Sequence, residues 1–550
     1  VLTAQTEDVK VTGDIAASAN VAVNANTTAE VSDNGTVKAT AGNVSAVAQN
    51  AVTVKDTAKI EGDGVLLKGA AVTTIGSASV KSTGTGTGGN LLIKATDSDV
   101  SLGQGTTIAA SRNLKVEAAA NVNQNTDLTA GGTAYVKAGS GDVNMAKDTT
   151  TRTTANGNIR FEAGQNMNIA NVNAGNGGVS FDGRSVAVSG RITAGGIGAD
   201  LDGTFGTQES PAELSVSELS ISAKEGIFIE NFKEVKVVSQ SAASANFQVV
   251  DVKDDLSDGG LVPDASDVGG SVDGLLAANG DVELKNHGNV TVTQSARIQA
   301  GASVKAEAEG DFAVDGTVTA GGANDIEAGV DVVFGSDGVP EGATVDVTAG
   351  GDITQDDAEL SVRNGYIAKD AGIHAAVKAS DSATLTAGGS VGGAVTGSKI
   401  EYVGVEAGNV SATAESGNAA IAAANGTDLT VGEGGIVAEK GTAAAYTAKT
   451  VKTGGKAVIA GKNVNVTAYD YKSGNVNIKV TDTLTVNNLE GGMNPGLAIF
   501  SSKGGTSNPQ IDNLPNNMLI FIDGRLAGGD MKMINKLGAL EAFPVATPEL

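Results

Sequence analysis

A short phrase recurs along this chain: glycine, then asparagine or aspartate, then an apolar residue. It occurs as GDI at 13, GNV at 42, GNL at 89, GDV at 141, GNI at 157, GDV at 280, GNV at 288, GDF at 310, GDI at 351, GNV at 408 and GNV at 474. Gly supplies a positive φ without steric cost, Asn and Asp tolerate turn geometry and bond their own backbone, and the apolar residue opens an alternating run. Each unit therefore reads as a turn followed by a strand, as in GNVTVTQSARIQAGASVKAEAEG over 288–310.

Spacing decides which β architecture this is. Gly435, Gly455 and Gly474 stand 20 and 19 residues apart, Gly388 and Gly408 20, and Gly288 and Gly310 22. A hairpin array would reach a sheet edge after two or three such strands. A coil that returns to the same place every 20-odd residues instead stacks strand on strand in parallel, with the right-handed winding of other parallel crossovers. The predicted fold class is all-β: a right-handed parallel β-helix (β-solenoid) rod with an irregular C-terminal cap. About 450 repeat residues make about 20 coils, and at a rise of about 4.8 Å each the rod is about 100 Å long.

Composition agrees with a thin, long core. A single globular core stops growing at about 250–300 residues, a limit that a repeat stack escapes. Hydrophobic residues are 40% of the chain but aromatics only 3%, so the apolar material is mostly small and β-branched. The formal charge of −26 opposes nucleic acid, whose binding rests on neutralising phosphates, and anionic membrane surfaces for the same reason. No apolar run approaches the roughly 18 residues needed to span a bilayer, so neither nucleic acid nor membrane insertion is expected. The absence of cysteine excludes disulfides and thiolate metal sites. The chain begins VLTAQTEDVK, without an initiator Met or a signal-peptide pattern, and is read as a processed or excised piece of something longer.

Two stretches break the pattern and divide the chain. Coils are expected over 1–250 and 276–486. Between them, 251–275 is an acidic loop insertion, with seven Asp residues over 251–274, expected to project from one corner. From about Asn487 the repeat dissolves, and five of the eight prolines follow, so 487–550 is expected to be a non-repeat cap or assembly segment. Within it, NMLIFIDGRL (517–526) suits a strand and turn, and KMINKLGALEAF (532–543) a short helix. Such a segment would cover the last coil, whose open edge otherwise invites end-to-end pairing.

Chemistry-bearing residues are few. Only His287 and His374 exist, so a His-based relay has almost no material, and both are expected on the surface. Parallel β-helices include polysaccharide lyases and hydrolases, whose sites need clustered carboxylates with an Arg or Lys in an aromatic-lined groove; here aromatics are scattered. The pair Asp254 and Asp255 reads as part of a solvated loop. No catalytic or cofactor-binding residue is expected. The calcium nonapeptide and the EF-hand spacing are both absent, which leaves Asp251, Asp254, Asp255 and Asp258 as candidate oxygens for a loosely held Ca²⁺. Asn-x-Ser/Thr sites occur at Asn26, Asn34, Asn43, Asn289, Asn409, Asn425 and Asn465, most of them at the turn the coil itself requires. FDGR at 181 and IDGR at 522 read as turns rather than receptor ligands.

The phrases TAGGDITQD (348–356), KATAGNVSAVAQNAV (38–52), LTAGGSVGG (385–393) and AGKNVNVTA (460–468) resemble the repeats of filamentous-haemagglutinin-like exoproteins, large bacterial adhesins secreted by two-partner systems. The resemblance covers most of residues 1–486. It implies a right-handed parallel β-helix fibre that leaves through an outer-membrane transporter, is surface-held or released, and serves attachment or a biofilm matrix. Expected partners are that transporter, a host or neighbouring-cell surface or matrix polysaccharide, and further copies joined end to end. The NPNG-type motifs of the family's secretion domain do not occur, as if that domain were removed or the chain belonged to a cousin such as an autotransporter passenger. The expected function is that of an extracellular or cell-surface fibre and not an enzyme. The alternatives are a self-assembling filament or sheath subunit and a β-helical polysaccharide-active enzyme.

Overall fold

The computed structural model describes residues 1–550 except 6, 86–87, 246, 264–271, 364–365, 368–370, 425, 455–456, 471–475, 490–496, 502–509, 513–518 and 524–550. It divides into two units, Val1–Ala302 and Ser303–Leu550. Both are built from parallel β-coils, so the β-solenoid expected from the Gly-Asn/Asp phrase is the observed architecture.

In the first unit, up to strand Thr204–Phe205, each coil has three short strands, and every strand pairs in parallel with the one three places on. Leu91–Ala95, Val100–Leu102 and Thr107–Ala110 form one coil. Leu91 lies against Leu114, Val100 against Val122, and Ile108 against Leu128 of the next. The three strands define three flat faces. One circuit takes 20 residues from Leu114 to Ala134 and 26 from Val65 to Leu91, and corner length absorbs the difference. Strand alternation places every second side chain inside. One inner ladder runs Val44, Val65, Leu91, Leu114, Ala134, Ile159, Val179, Ile197 and Leu219, each of them fully buried. Full burial of a Val, Leu or Ile contributes about 1.5–3 kcal/mol, so stability is spread along the stack with no dominant residue. The few aromatics stack as well: Phe161 lies 5.5 Å from Phe181, ring on ring, and Phe181 meets Phe205 edge-on at 5.8 Å.

An Asn or Asp just before the apolar residue that opens a strand, preceded by Gly at Asn43 and Asp142 and by Ala or Ser at Asn20, Asp99 and Asn121, joins one coil to the next. Asn20 Oδ1 accepts the backbone N–H of Asn43 at 2.8 Å, and Asn43 Oδ1 accepts that of Gly64 at 3.0 Å. Asp99, Asn121 and Asp142 continue the pattern at a second corner, accepting the N–H groups of Asn121, Asp142 and Asn166, each at 2.9 Å. A corner has backbone donors with no strand opposite them, and these carboxamides and carboxylates satisfy them. At the remaining corner one position needs the left-handed region, filled by Asp33, Asp56, Gly76, Gly105 and Asp148 with φ of 58°, 61°, 74°, 81° and 67°. Asp and Gly are the residues that enter this region at least cost.

The second unit uses the same principle with longer strands that wrap a corner, among them Val339–Ala349, Val377–Ala387, Val403–Ala414 and Ile459–Asp470. Its polar corner ladder runs Asp311, Asp331 and Asp352, which accept the backbone N–H groups of Asp331, Asp352 and Ser390 at 3.2, 2.7 and 2.6 Å. Parallel pairing does not stop near Asn487. Val476–Leu489 pairs with Leu497–Ser501 and Gln510–Asp512, and Leu497–Ser501 pairs with Leu519–Asp523. The helix expected over 532–543 lies outside the described residues.

The acidic insertion also differs from its expected form. The chain leaves the stack at Ser239, directly after strand Val235–Val237, and returns at Gly274, where Leu275 pairs with Ile221. Among its described residues are a 3-10 turn (Gln240–Ala242) and an antiparallel hairpin made of Val249–Val252 and Asp258–Val262. Its described hairpin does not project. It lies flat across the first face of the unit and reaches back toward earlier coils as a strap.

Candidate functional site

The strap explains why several strands of that face lack the expected alternation. VLLKG, LLIKA, LKVEA, AYVKA and IRFEA are each buried at the second position, although that residue points outward. The outward column Leu66, Leu92, Lys115, Tyr135, Arg160, Ser180, Gly198 and Ser220 is in register from coil to coil. Val252 and Leu256 of the strap pack on Leu66 and Leu92 in a small apolar cluster. Further along the column, Asn158 Nδ2 donates to the Gln248 carbonyl at 2.7 Å, and Ser220 Oγ donates to the Val272 carbonyl at 3.0 Å. Gly198 leaves room for the Phe247 ring, which would touch any Cβ at that place.

Three of the four aspartates that are candidate calcium oxygens, Asp251, Asp254 and Asp258, hold the strap down. Asp251 lies 2.7 Å from Lys115, and Asp254 lies 2.7 Å from Lys68 and 3.2 Å from Lys94. Asp258 pairs with Arg112 at 2.6 Å and accepts from Asn90 Nδ2 at 2.9 Å. Asp255 turns back on the hairpin, where it accepts the Ser257 N–H at 2.9 Å. The four carboxylates do not converge, and among the described residues no three His, Cys, Asp or Glu side chains are placed to hold a metal ion. Burial pushes the Asp254 carboxyl up, but hydrogen bonds from Lys68 and Lys94 outweigh it and hold the group below its ordinary value. Burial likewise pulls the Lys115 ammonium down, and Asp251 and Glu117 more than reverse this.

Beside the strap, Tyr135 donates to Glu162 at 2.5 Å, Lys137 pairs with Glu162 at 2.6 Å, and the buried Arg160 pairs with Asp182 at 3.0 Å. Burial raises Glu162, while Lys137 and Tyr135 together hold it below the usual carboxylate range. Asp182 has fewer such partners, and burial leaves it raised. Every group in this network is engaged with a neighbour on the same face or on the strap.

The third face is open, and with the corner that leads into it carries a groove of ≈ 1020 Å³. Its origin is a shortened corner. Leu102, Gln124 and Met145 are in register, and so are Ile108, Leu128 and Thr151. The corners Gly103–Thr107 and Ala146–Thr150 have five residues each, whereas Asn125–Asp127 has three, so the middle coil is notched. Buried polar groups support the short corner: Gln124 Nε2 donates to the Thr126 carbonyl at 3.0 Å, Thr126 Oγ1 to the Thr106 carbonyl at 2.6 Å, and Thr151 Oγ1 to Gln124 Oε1 at 3.0 Å. Around the notch stand exposed Gln104, Asn125, Asp127, Lys81, Lys147 and Arg152. Sequence reading did not find this site. Its signal was the brevity of NTD between VNQ and LTA, together with a Gln on an inward position.

Other expected sites fall as follows. His374 is exposed, whereas His287 is half-buried: it stacks on Phe232 at 4.5 Å and lies 2.9 Å from Glu230, and Arg191 lies over the Phe232 ring at 4.0 Å. Phe181 of FDGR is a core residue, and Gly524 and Arg525 of IDGR are outside the described residues. Asn34 and Asn409 are exposed, Asn26 and Asn289 half-buried, and Asn425 is outside the described residues. Asn43 is part of the corner ladder. Asn465 is only 9% exposed within a strand, so a glycan there has no exit from the folded coil.

The second unit has a strap of its own. Leu360, Val362, Ile367, Ile373, Ile400 and Tyr402 pack over the outward Ala420, Ala422, Ala444 and Tyr446. Lys399 sits at its edge, 2.7 Å from both Glu359 and Glu401, and these two hydrogen bonds raise its pKa. No helix among the described residues is long and apolar enough to cross a membrane. No protein family, curated protein or solved structure matches the chain.

Proposed function

We propose that the chain is part of a secreted bacterial surface fibre that mediates attachment, in the manner of the filamentous-haemagglutinin-like exoproteins its repeats resemble. The observation that carries this reading is the contrast between faces in the first unit. One face is covered by its strap, while an open face presents the outward polar column Thr53, Thr73, Ser101, Asn123, Asn144 and Asn168 in register from coil to coil. A parallel stack repeats such positions every ~4.8 Å. Repeated, rigid polar arrays suit recognition by many weak contacts, which add through multivalency without a deep pocket. The high negative charge keeps neighbouring fibres apart.

Adhesion of beads coated with the purified chain tests the reading. Beads carrying the chain are expected to adhere to bacterial or host cell layers, and to polysaccharide films, more than beads carrying an inert protein of equal negative charge. Equal adhesion on every surface overturns the proposal.

A further inference from the structure

We infer that the notch between Gly103–Thr107 and Ala146–Thr150 is a binding site for a carboxylate-bearing polysaccharide. The inference rests on the attachment reading and names its ligand class.

Three observations point there. First, the lysines of the strapped face are engaged: Lys68, Lys94, Lys115 and Lys137 all pair with carboxylates. Lys81, Lys147 and Arg152 line the notch, and among the described residues none of the three forms an ion pair. Arg152 donates from Nε to Thr129 Oγ1 at 3.2 Å, and among the described residues its terminal nitrogens have no partner. In a chain of charge −26, three uncommitted cations around one depression mark a place for an anion.

Second, the lining suits a sugar more than a bare ion. Gln104, Asn125, Asp127, Thr107 and Thr129 offer amide, carboxylate and hydroxyl groups for ring hydroxyls. Asp127 keeps its place through Oδ1, which accepts the Thr150 N–H at 2.8 Å. The two carboxylates at the rim, Asp127 and Asp148, temper the positive charge and disfavour a densely sulfated polymer relative to one with a single carboxylate per ring.

Third, the scale fits. Lys81 pairs in register with Ala109, Ala109 with Thr129, and Thr129 with Arg152. The two cations are therefore three rungs apart, about 14 Å along the stack at ~4.8 Å per rung. The short side chains of Ala109 and Thr129 between them leave a trough for about three sugar rings, and a groove of ≈ 1020 Å³ accommodates them. Buried Gln124 stands inward where the coils on either side have Leu102 and Met145, and its partner Thr151, in the next coil, stands where Ile108 and Leu128 precede it. Apolar core is thus given up at the notch.

The test is calorimetric titration of the purified chain with hexagalacturonate, with neutral dextran and dextran sulfate as comparison ligands. Hexagalacturonate is expected to bind, more weakly as salt rises, and neutral dextran is not. The triple variant K81A/K147A/R152A is expected to lose at least tenfold in affinity. A charge-matched variant, K10A/K38A/K55A, is expected to retain wild-type affinity, with circular dichroism confirming that both fold. A second variant inserting two glycines after Asn125 lengthens the corner to five residues, and is expected to abolish binding with all three cations present. Absent binding, equal binding of neutral dextran, or unchanged affinity in the triple variant overturns the proposal. So does capture of dextran sulfate in preference to hexagalacturonate. If the coated beads adhere while hexagalacturonate does not bind, the attachment reading stands and this site fails alone.

Discussion

Leu92 offers a clean separation between the strap and the coils. It lies in strand Leu91–Ala95, points outward, and is fully buried only because Val252 and Leu256 cover it. Its neighbour Ile93 is equally buried but points into the stack. Truncation of a buried Leu to Ala costs about 2–5 kcal/mol, and the lower end applies where the surroundings can settle into the space. A peripheral hairpin can settle, so Leu92→Ala is expected to weaken strap docking by about 2 kcal/mol. At about 1.4 kcal/mol per decade, the fraction of time the strap is open rises about 30-fold. Hydrogen exchange read by mass spectrometry locates the effect. Amides of 249–262 are expected to exchange about 30-fold faster, while those of Leu114–Ala118 and Ala134–Ala138 change little. Ile93→Ala is expected to do the reverse, accelerating exchange in the coil strands and lowering the melting temperature. If Leu92→Ala leaves the hairpin's protection intact, or accelerates hairpin and coils equally, then the strap is not a separately opening element and the reasoning fails.

Acid is expected to loosen the strap. Asp254 has a folded pKa below its unfolded value, so its contribution is present above about pH 4, the ordinary aspartate value, and is lost as pH falls through the folded value. Asp182, raised by burial, moves in the opposite sense and regains stability on protonation, so the global melt responds less than hairpin exchange; Asp254→Asn should remove the hairpin's acid sensitivity. At the corner ladder, Asn121→Ala removes the acceptor for the Asp142 N–H and the donor to Asp99 Oδ1, and is expected to cost about 1–2 kcal/mol in chemical denaturation, against little for a corner residue outside the ladder. Gly280→Ala would drive a Cβ into the Glu225 carbonyl, whereas Gly13 has nothing within 4 Å, so only the former should lower the melting temperature.

Local chemistry determined the fold class. Strand alternation fixes which side chains face inward, glycine and aspartate mark where the chain can turn, and a return near 20 residues leaves parallel stacking as the arrangement in which each strand finds a partner. These are properties of neighbouring residues, and they appear in the sequence as a phrase. The strap, the notch and the pairing beyond Asn487 are not properties of neighbours. In the sequence Asp251 and Asp254 read only as carboxylates of an acidic loop, because Lys115, Lys68 and Lys94 stand 136, 186 and 160 residues away in the chain and meet them only when the hairpin folds back. The notch exists because two longer corners sit on either side of a shorter one, a relation visible only once Gln124 is placed in register between Leu102 and Met145. A turn can be read from the residues that make it. A surface shared by several coils is decided by the register that stacks them.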